Sequence, residues 1–194
     1  MSDLDSRFFQ DIDPDLNILN QIYCGTNGEN SLYYTIDKYN QVFSRSNDLK
    51  IFHSNIRSFN ANSDLFDGIL DSFTETPEIF CLTETWFSTN NASLYNYQNF
   101  QPFHTVRSGT ARGGGVSMYI KNEIMAVKLD DLSVCNRTIE TCCVRLSLEN
   151  SNLIVIAVYR PHFGSIQNFI FQLEEILTSS IIANNKVVLI GVLM

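Results

Sequence analysis

The chain has 194 residues, 44% of them hydrophobic and 18% charged, which is enough for one domain with a sizeable core and is not the composition of a disordered or low-complexity chain. Its formal net charge of −8 argues against a generally basic nucleic-acid-coating protein, but residues 1–48 carry −5 of that excess and residues 49–194 only −3. The longest apolar runs, Leu153 to Tyr159 and Val187 to Met194, fall well short of the roughly 18–20 residues a membrane span needs. The acidic start, MSDLDSRFFQDIDPDLN, has neither the basic nor the apolar region of a secretory signal, so an intracellular protein of nucleus or cytosol, not a secreted one, is expected.

Residues 1–48 mix Asp, Asn and Ser with isolated apolar residues and hold no period, which predicts a loosely ordered acidic leader with one short helix at most. From Leu49 the pattern sharpens. LKIFHSNI predicts a strand. Leu65, Phe66, Ile69, Leu70 and Phe73 then share one face of a helix capped near Asn62 or Ser63 and finished before Pro77, and EIFCLTE predicts a second strand. A β-α-β opening makes those two strands parallel and brings their ends, with Asn55 and Glu84, to one edge of a sheet.

After Trp86 an irregular aromatic-rich segment is expected, followed by four strands: GGVSMYIK, IMAVKL, IETCCVRLSLE and NLIVIAVY. The third alternates Ile139, Thr141, Cys143, Arg145 and Ser147 against Glu140, Cys142, Val144, Leu146 and Leu148, which predicts one buried and one wetter face. Pro161 stops the fourth. Gly164 and Ser165 introduce a helix with Ile166, Phe169, Ile170, Leu173, Ile176 and Leu177 at helical spacing, and KVVLIG is a strand again. The RGGGV run lacks the Lys-Ser/Thr of a phosphate loop and is read as a tight entry into a closely packed strand. The five cysteines form no C-x-x-C pair and are read as reduced structural thiols with no disulfide-linked partner. The sequons at Asn91 and Asn136 are coincidental in an intracellular chain.

HSNIRS, LTETWF, RGGGVSMYIK, VYRP and VVLIG occur in the order and approximate spacing of the endonuclease/exonuclease/phosphatase superfamily. The chain most resembles the apurinic-type endonuclease domain of non-LTR (LINE-like) retrotransposons. That resemblance spans residues 49–191, makes 49–194 a truncated domain of the superfamily and implies an α/β fold: an incomplete four-layer α/β sandwich (DNase I-like) with two mixed β-sheets and outer helices. It implies a Mg²⁺-dependent endonuclease, Mn²⁺ being the alternative ion, that nicks target DNA for retrotransposition. By the same resemblance Glu84 is the metal ligand, Asn55 belongs to the polar net around metal and phosphate, and the Tyr159 hydroxyl points at the scissile phosphate. Arg57, Trp86, Arg112 and Arg160 are candidates for DNA or phosphate contact, as is Arg107, with Trp86 expected to be packed under its loop.

The resemblance also marks gaps. Its Asp-Phe-Asn and Ser-Asp-His segments have no counterpart, because Gly191 is followed by Val192, Leu193 and Met194. Deleting one A from GAT TTT AAT yields Val-Leu-Met when G follows, so the tail is expected to be a frameshifted motif; an exon boundary or gene-model error gives the same result. The nucleotide sequence past codon 194 distinguishes these. A truncated domain of this kind is expected to fold marginally and to be inactive in nicking. The alternative is a non-catalytic remnant or interaction module of a decayed element.

Overall fold

The computed structural model describes residues 48–108, 113–149 and 151–192, together with Asp37, Asn40 and Gln41. They fall into two compact units, one of Met1–Asp48 with Gly68–Thr76 and one of Leu49–Asp67 with Pro77–Met194. In the first, the Asn40 amide donates to the Ser72 carbonyl at 2.8 Å and its oxygen accepts from the Thr74 N–H at 2.9 Å, so one side chain satisfies two backbone groups at a helix end. The leader expected over residues 1–48 lies mostly outside the described residues.

The second unit holds two four-stranded sheets. The first has the order β1-β2-β4-β3, built from β1 (Ile51–Asn55), β2 (Ile79–Thr83), β3 (Phe100–Thr105) and β4 (Val116–Lys121). The second has the order β5-β6-β7-β8, from β5 (Met125–Lys128), β6 (Glu140–Leu148), β7 (Ser151–Tyr159) and β8 (Lys186–Val192). Each sheet is mixed. β1 and β2 are parallel, with Asn55 opposite Thr83, and β7 and β8 are parallel, while the remaining pairs are antiparallel. Both parallel pairs are joined through a helix, α1 (Phe59–Ser72) or α2 (Ile166–Leu177), as a parallel crossover requires. The α/β sandwich expected from the sequence is the fold observed.

The two sheets bury their facing sides against each other. Ile79, Cys81, Val116, Met118 and Ile120 meet Cys142, Val144, Leu146, Val155, Ala157 and Tyr159. Each large side chain so buried contributes about 1.5–3 kcal/mol of transfer free energy. The outer side of the second sheet, with Ile139, Cys143, Ile154, Ile156 and Val158, is covered by Phe169 and Ile176 of α2 and by Leu132 and Ile182. Phe66 of α1 packs edge-on against Phe59 and Phe80 on the outer side of the first sheet, at ring separations of 5.9 and 5.8 Å.

Three expectations are corrected. β6 has no wetter face until Arg145, since Thr141 and Cys143 are as buried as Cys142 and Val144: one side meets a sheet and the other a helix. β3 lies inside the segment expected to be irregular, and it tolerates Pro102 because it is an edge strand with one side unladdered. α1 begins at Phe59, before the expected cap. Asn62 has non-helical φ/ψ (−124°, 15°), and its amide donates backward to the carbonyls of Ile56 (2.8 Å) and Arg57 (3.0 Å) instead of capping the helix with its oxygen.

Candidate active site

The ends of β1, β2 and β7 bring Asn55, Glu84 and Tyr159 together. The Asn55 Nδ2 donates to Glu84 Oε1 at 2.9 Å. The Tyr159 hydroxyl bonds to the same carboxylate, and its pKa is driven up by burial first, then by the Glu84 charge and that hydrogen bond, and further by Glu140. In this arrangement the Tyr159 phenol keeps its proton and donates it toward Glu84.

Glu84 is held in a backbone conformation rare for its type, with φ +54°. Hydrogen bonds on both sides hold it there. Ser58 N–H donates to the Glu84 carbonyl (2.8 Å) and Phe59 N–H to that of Thr85 (3.0 Å), while Thr85 and Trp86 N–H donate to Gly115 (3.3 Å) and Gly114 (2.8 Å). The β2 exit is thereby clamped between the β1–α1 turn and the glycine run, and the strained residue is the one that carries the carboxylate.

The glycine run is the tight strand entry expected. Gly113, Gly114 and Gly115 all have positive φ (+90°, +71° and +86°), and a Cβ on Gly114 would lie 2.4 Å from the Arg107 guanidinium carbon. Arg107 can cross there only because the side chain is missing. Its Nε donates to Glu140 Oε1, and Gly115 N–H donates to Oε2 of the same carboxylate at 2.5 Å. Glu140 is fully buried and sits opposite Tyr159 in the β6–β7 ladder. Burial raises its pKa, the Gly115 and Arg107 bonds oppose that, and the Glu84 charge adds to it. Sequence reasoning left Glu140 among the apolar residues of its face. The available signal was a single carboxylate in an otherwise buried alternation.

Of the other candidates, Arg57 is exposed on the β1–α1 turn at φ +45°, and Arg160 is half-buried immediately after Tyr159. Trp86 is 45% exposed, not packed under its loop as expected, and it follows the clamped backbone at φ +57°. Arg112 lies outside the described residues. Cys81, Cys135, Cys142 and Cys143 are free thiols.

The oxygen donors suit a hard divalent cation. Asn55 Oδ1 is buried and has no hydrogen-bond partner, and it belongs to the amide that binds Glu84. Among the described residues no group of three or more His, Cys, Asp or Glu is placed to hold a metal. Mg²⁺ needs no such group, since it binds through one or two carboxylates and keeps several waters.

This architecture, two mixed sheets face to face with a helix outside each, is a DNase I-like fold. Among solved structures, the chain is similar to the endonuclease domain of TRAS1, a telomere-specific non-LTR retrotransposon (TM-score 0.52, 10% identity, 74% of this chain and 58% of that one). It is also similar to the Xenopus laevis APE2 catalytic domain (TM-score 0.53, 17% identity, 73% and 57%). D. rerio TDP2 complexed with single strand DNA product is a third likeness (TM-score 0.52, 12% identity, 75% and 60%). The chain spans less than two thirds of the length of each. No protein-family model matches it, and no curated protein matches it. No helix among the described residues is long and apolar enough to cross a membrane.

Proposed function

We propose that this chain carries the metal-binding part of a Mg²⁺-dependent DNA endonuclease site. The observation that supports it most is the Asn55–Glu84–Tyr159 cluster: a strained, half-exposed carboxylate, an amide oxygen left without a partner beside it, and a phenol that keeps its proton. Strand ends from both sheets supply these groups, and the unpaired amide oxygen lies beside a carboxylate, where a cation can satisfy both. The retrotransposon and APE2 neighbours support the DNA-nuclease reading by fold.

In this reading Glu84 and Asn55 Oδ1 hold the ion, which when bound neutralises the phosphate and stabilises the departing alkoxide. The Asn55 N–H fixes the Glu84 carboxylate without adding negative charge near an anionic substrate. Tyr159, whose phenol keeps its proton, would donate a hydrogen bond to a phosphate oxygen. Arg57 and Arg160, at the ends of β1 and β7, supply positive charge for the flanking phosphates.

Isothermal calorimetry with Mg²⁺ tests the reading. Binding to the 194-residue chain is expected, with loss in Glu84→Ala and weakening by about tenfold in Asn55→Ala, the scale of one altered ligand or supporting contact. Mg²⁺ binding that is unchanged in Glu84→Ala would overturn the site.

A further inference from the structure

A cleft of about 520 Å³ opens between Arg107 and Ser108 after β3, Cys135 and Arg137 before β6, and Pro161 and Phe163 after β7. One wall adjoins the candidate active site, because Pro161 follows Tyr159 by two residues and Arg107 grips Glu140, the residue opposite Tyr159.

Its chemistry differs from that of the chain as a whole. The protein carries a net charge of −8, yet among the described residues the cleft is lined by two guanidiniums, Arg137 and the Glu140-paired Arg107, and by no carboxylate. Cys135 adds no charge either, since burial and the nearby Glu140 push its thiol up to about 12. Phe163 stands at the rim with 98% of its surface exposed, the most exposed large hydrophobic side chain among the described residues. A phenyl ring so placed contributes nothing to the core.

The lips are rigid. The Asn136 oxygen accepts from Thr138 N–H (2.8 Å) and Ile139 N–H (2.9 Å), and its amide donates to Gln172 Oε1 (2.9 Å). Across from it the Gly164 N–H closes a turn onto the Pro161 carbonyl at 3.2 Å. A Cβ on Gly164 would lie 3.0 Å from the Arg137 carbonyl, so a side chain there would push the two lips slightly apart. Two of the three walls are thus held by the protein's own hydrogen bonds, and the cleft volume falls in the range of sites for small molecules or single nucleotides.

We propose that this cleft binds one unpaired nucleotide of a DNA strand, its phosphate held by Arg107 and Arg137 and its base stacked on Phe163. This deepens the proposed function and rests on its choice of DNA. Positive charge joined to an exposed aromatic face is the combination that holds single strands, because every base has a π-face and every link a phosphate. A base within a duplex cannot use the cleft, since both of its faces are already stacked and its edge is paired. The buried Glu140 acts as a positioning residue: it fixes Arg107 over the glycine run, at the wall of the cleft that Arg107 lines.

Fluorescence anisotropy of the 194-residue chain with labelled oligo-dT, an abasic strand of equal length and a blunt duplex tests this. Oligo-dT is expected to bind about tenfold more tightly than the abasic strand, the scale of one stacked base, and more tightly than the duplex. Phe163→Ala should reduce oligo-dT binding to the abasic level, and Phe163→Trp should retain it. Arg137→Ala should weaken both single strands and reduce the slope of log K against log salt by about 0.7. Independently, oligo-dT should slow alkylation of Cys135, read at the peptide level by mass spectrometry. Equal binding of oligo-dT and the abasic strand, unchanged affinity in Phe163→Ala, an unprotected Cys135, or no binding at all would each overturn the cleft. The Mg²⁺ titration of Glu84→Ala stands or falls separately, so failure here is distinct from failure of the metal site.

Discussion

Glu140 and Gly114 show how much of the site depends on residues that touch no substrate in the proposed reaction. Glu140 has no exposed side-chain surface and binds Arg107 and the Gly115 N–H, so removing the carboxylate takes the ion pair from a three-quarters-buried side chain and the partner from a buried N–H. Glu140→Ala is expected to lower stability by about 2–4 kcal/mol in urea unfolding. Gly114→Ala is expected to cost about 1–3 kcal/mol, because the new methyl meets the guanidinium and φ is +71°. A neutral Gly114→Ala would show that Arg107 does not lie where the structure has it. Asn55, Glu84 and Tyr159 were each legible as polar residues at strand ends. Glu140 was not, because its partner Arg107 is 33 residues away and only the packing of two sheets brings them together.

At the scale of elements, periodicity identified seven of the eight strands and both helices found among the described residues from Leu49 onward, and the exceptions have physical causes. β3 contains Pro102 and three half-buried aromatic or imidazole side chains in no clean alternation, a pattern that an edge strand permits and a sequence window does not recognise. In β6 the alternation was read as one wet face because Thr and Cys are chemically ambiguous. Thr141 is buried by donating to the Leu132 carbonyl at 2.7 Å, and Cys143 by behaving as a small apolar residue. The cap of α2 was legible: Ser165 precedes the helix, and its oxygen accepts from Asn168 N–H at 3.5 Å. That bond is long, so Ser165→Ala is expected to cost about 0.5–1 kcal/mol, at the low end for N-caps, measured by chemical denaturation. A loss above about 2 kcal/mol would mean that Ser165 does more than cap.

At the scale of the whole molecule, the second unit buries a histidine it cannot charge. His104 packs its ring against Phe87 and Tyr119, with Ser117 Oγ 2.9 Å from Nδ1, and its Nε2 is buried without a partner. Burial, followed by the charge of Lys128, lowers its pKa from 6.5 to about 4. Between those values the unfolded chain binds the proton and the folded one does not, so the associated stability is complete above pH 6.5 and is lost as pH falls toward 4. The loss amounts to at most about 3 kcal/mol. Urea midpoints measured across that window should fall more steeply for the native chain than for His104→Gln, and equal slopes would refute the buried neutral ring.

By itself the sequence determined the local elements, because strand and helix periods, Pro161, the glycine run and the Ser165 cap act over a few neighbouring residues. It also determined the shared edge of the first β-α-β unit, since a parallel crossover leaves no other arrangement. The tertiary structure alone decided that β7 from the second sheet delivers Tyr159 to the carboxylate of the first. It also decided that Glu140 is buried behind Arg107 and that Trp86 and Phe163 face solvent. Those outcomes depend on how two sheets stack and which loops then meet, and no pattern along a single segment encodes that geometry.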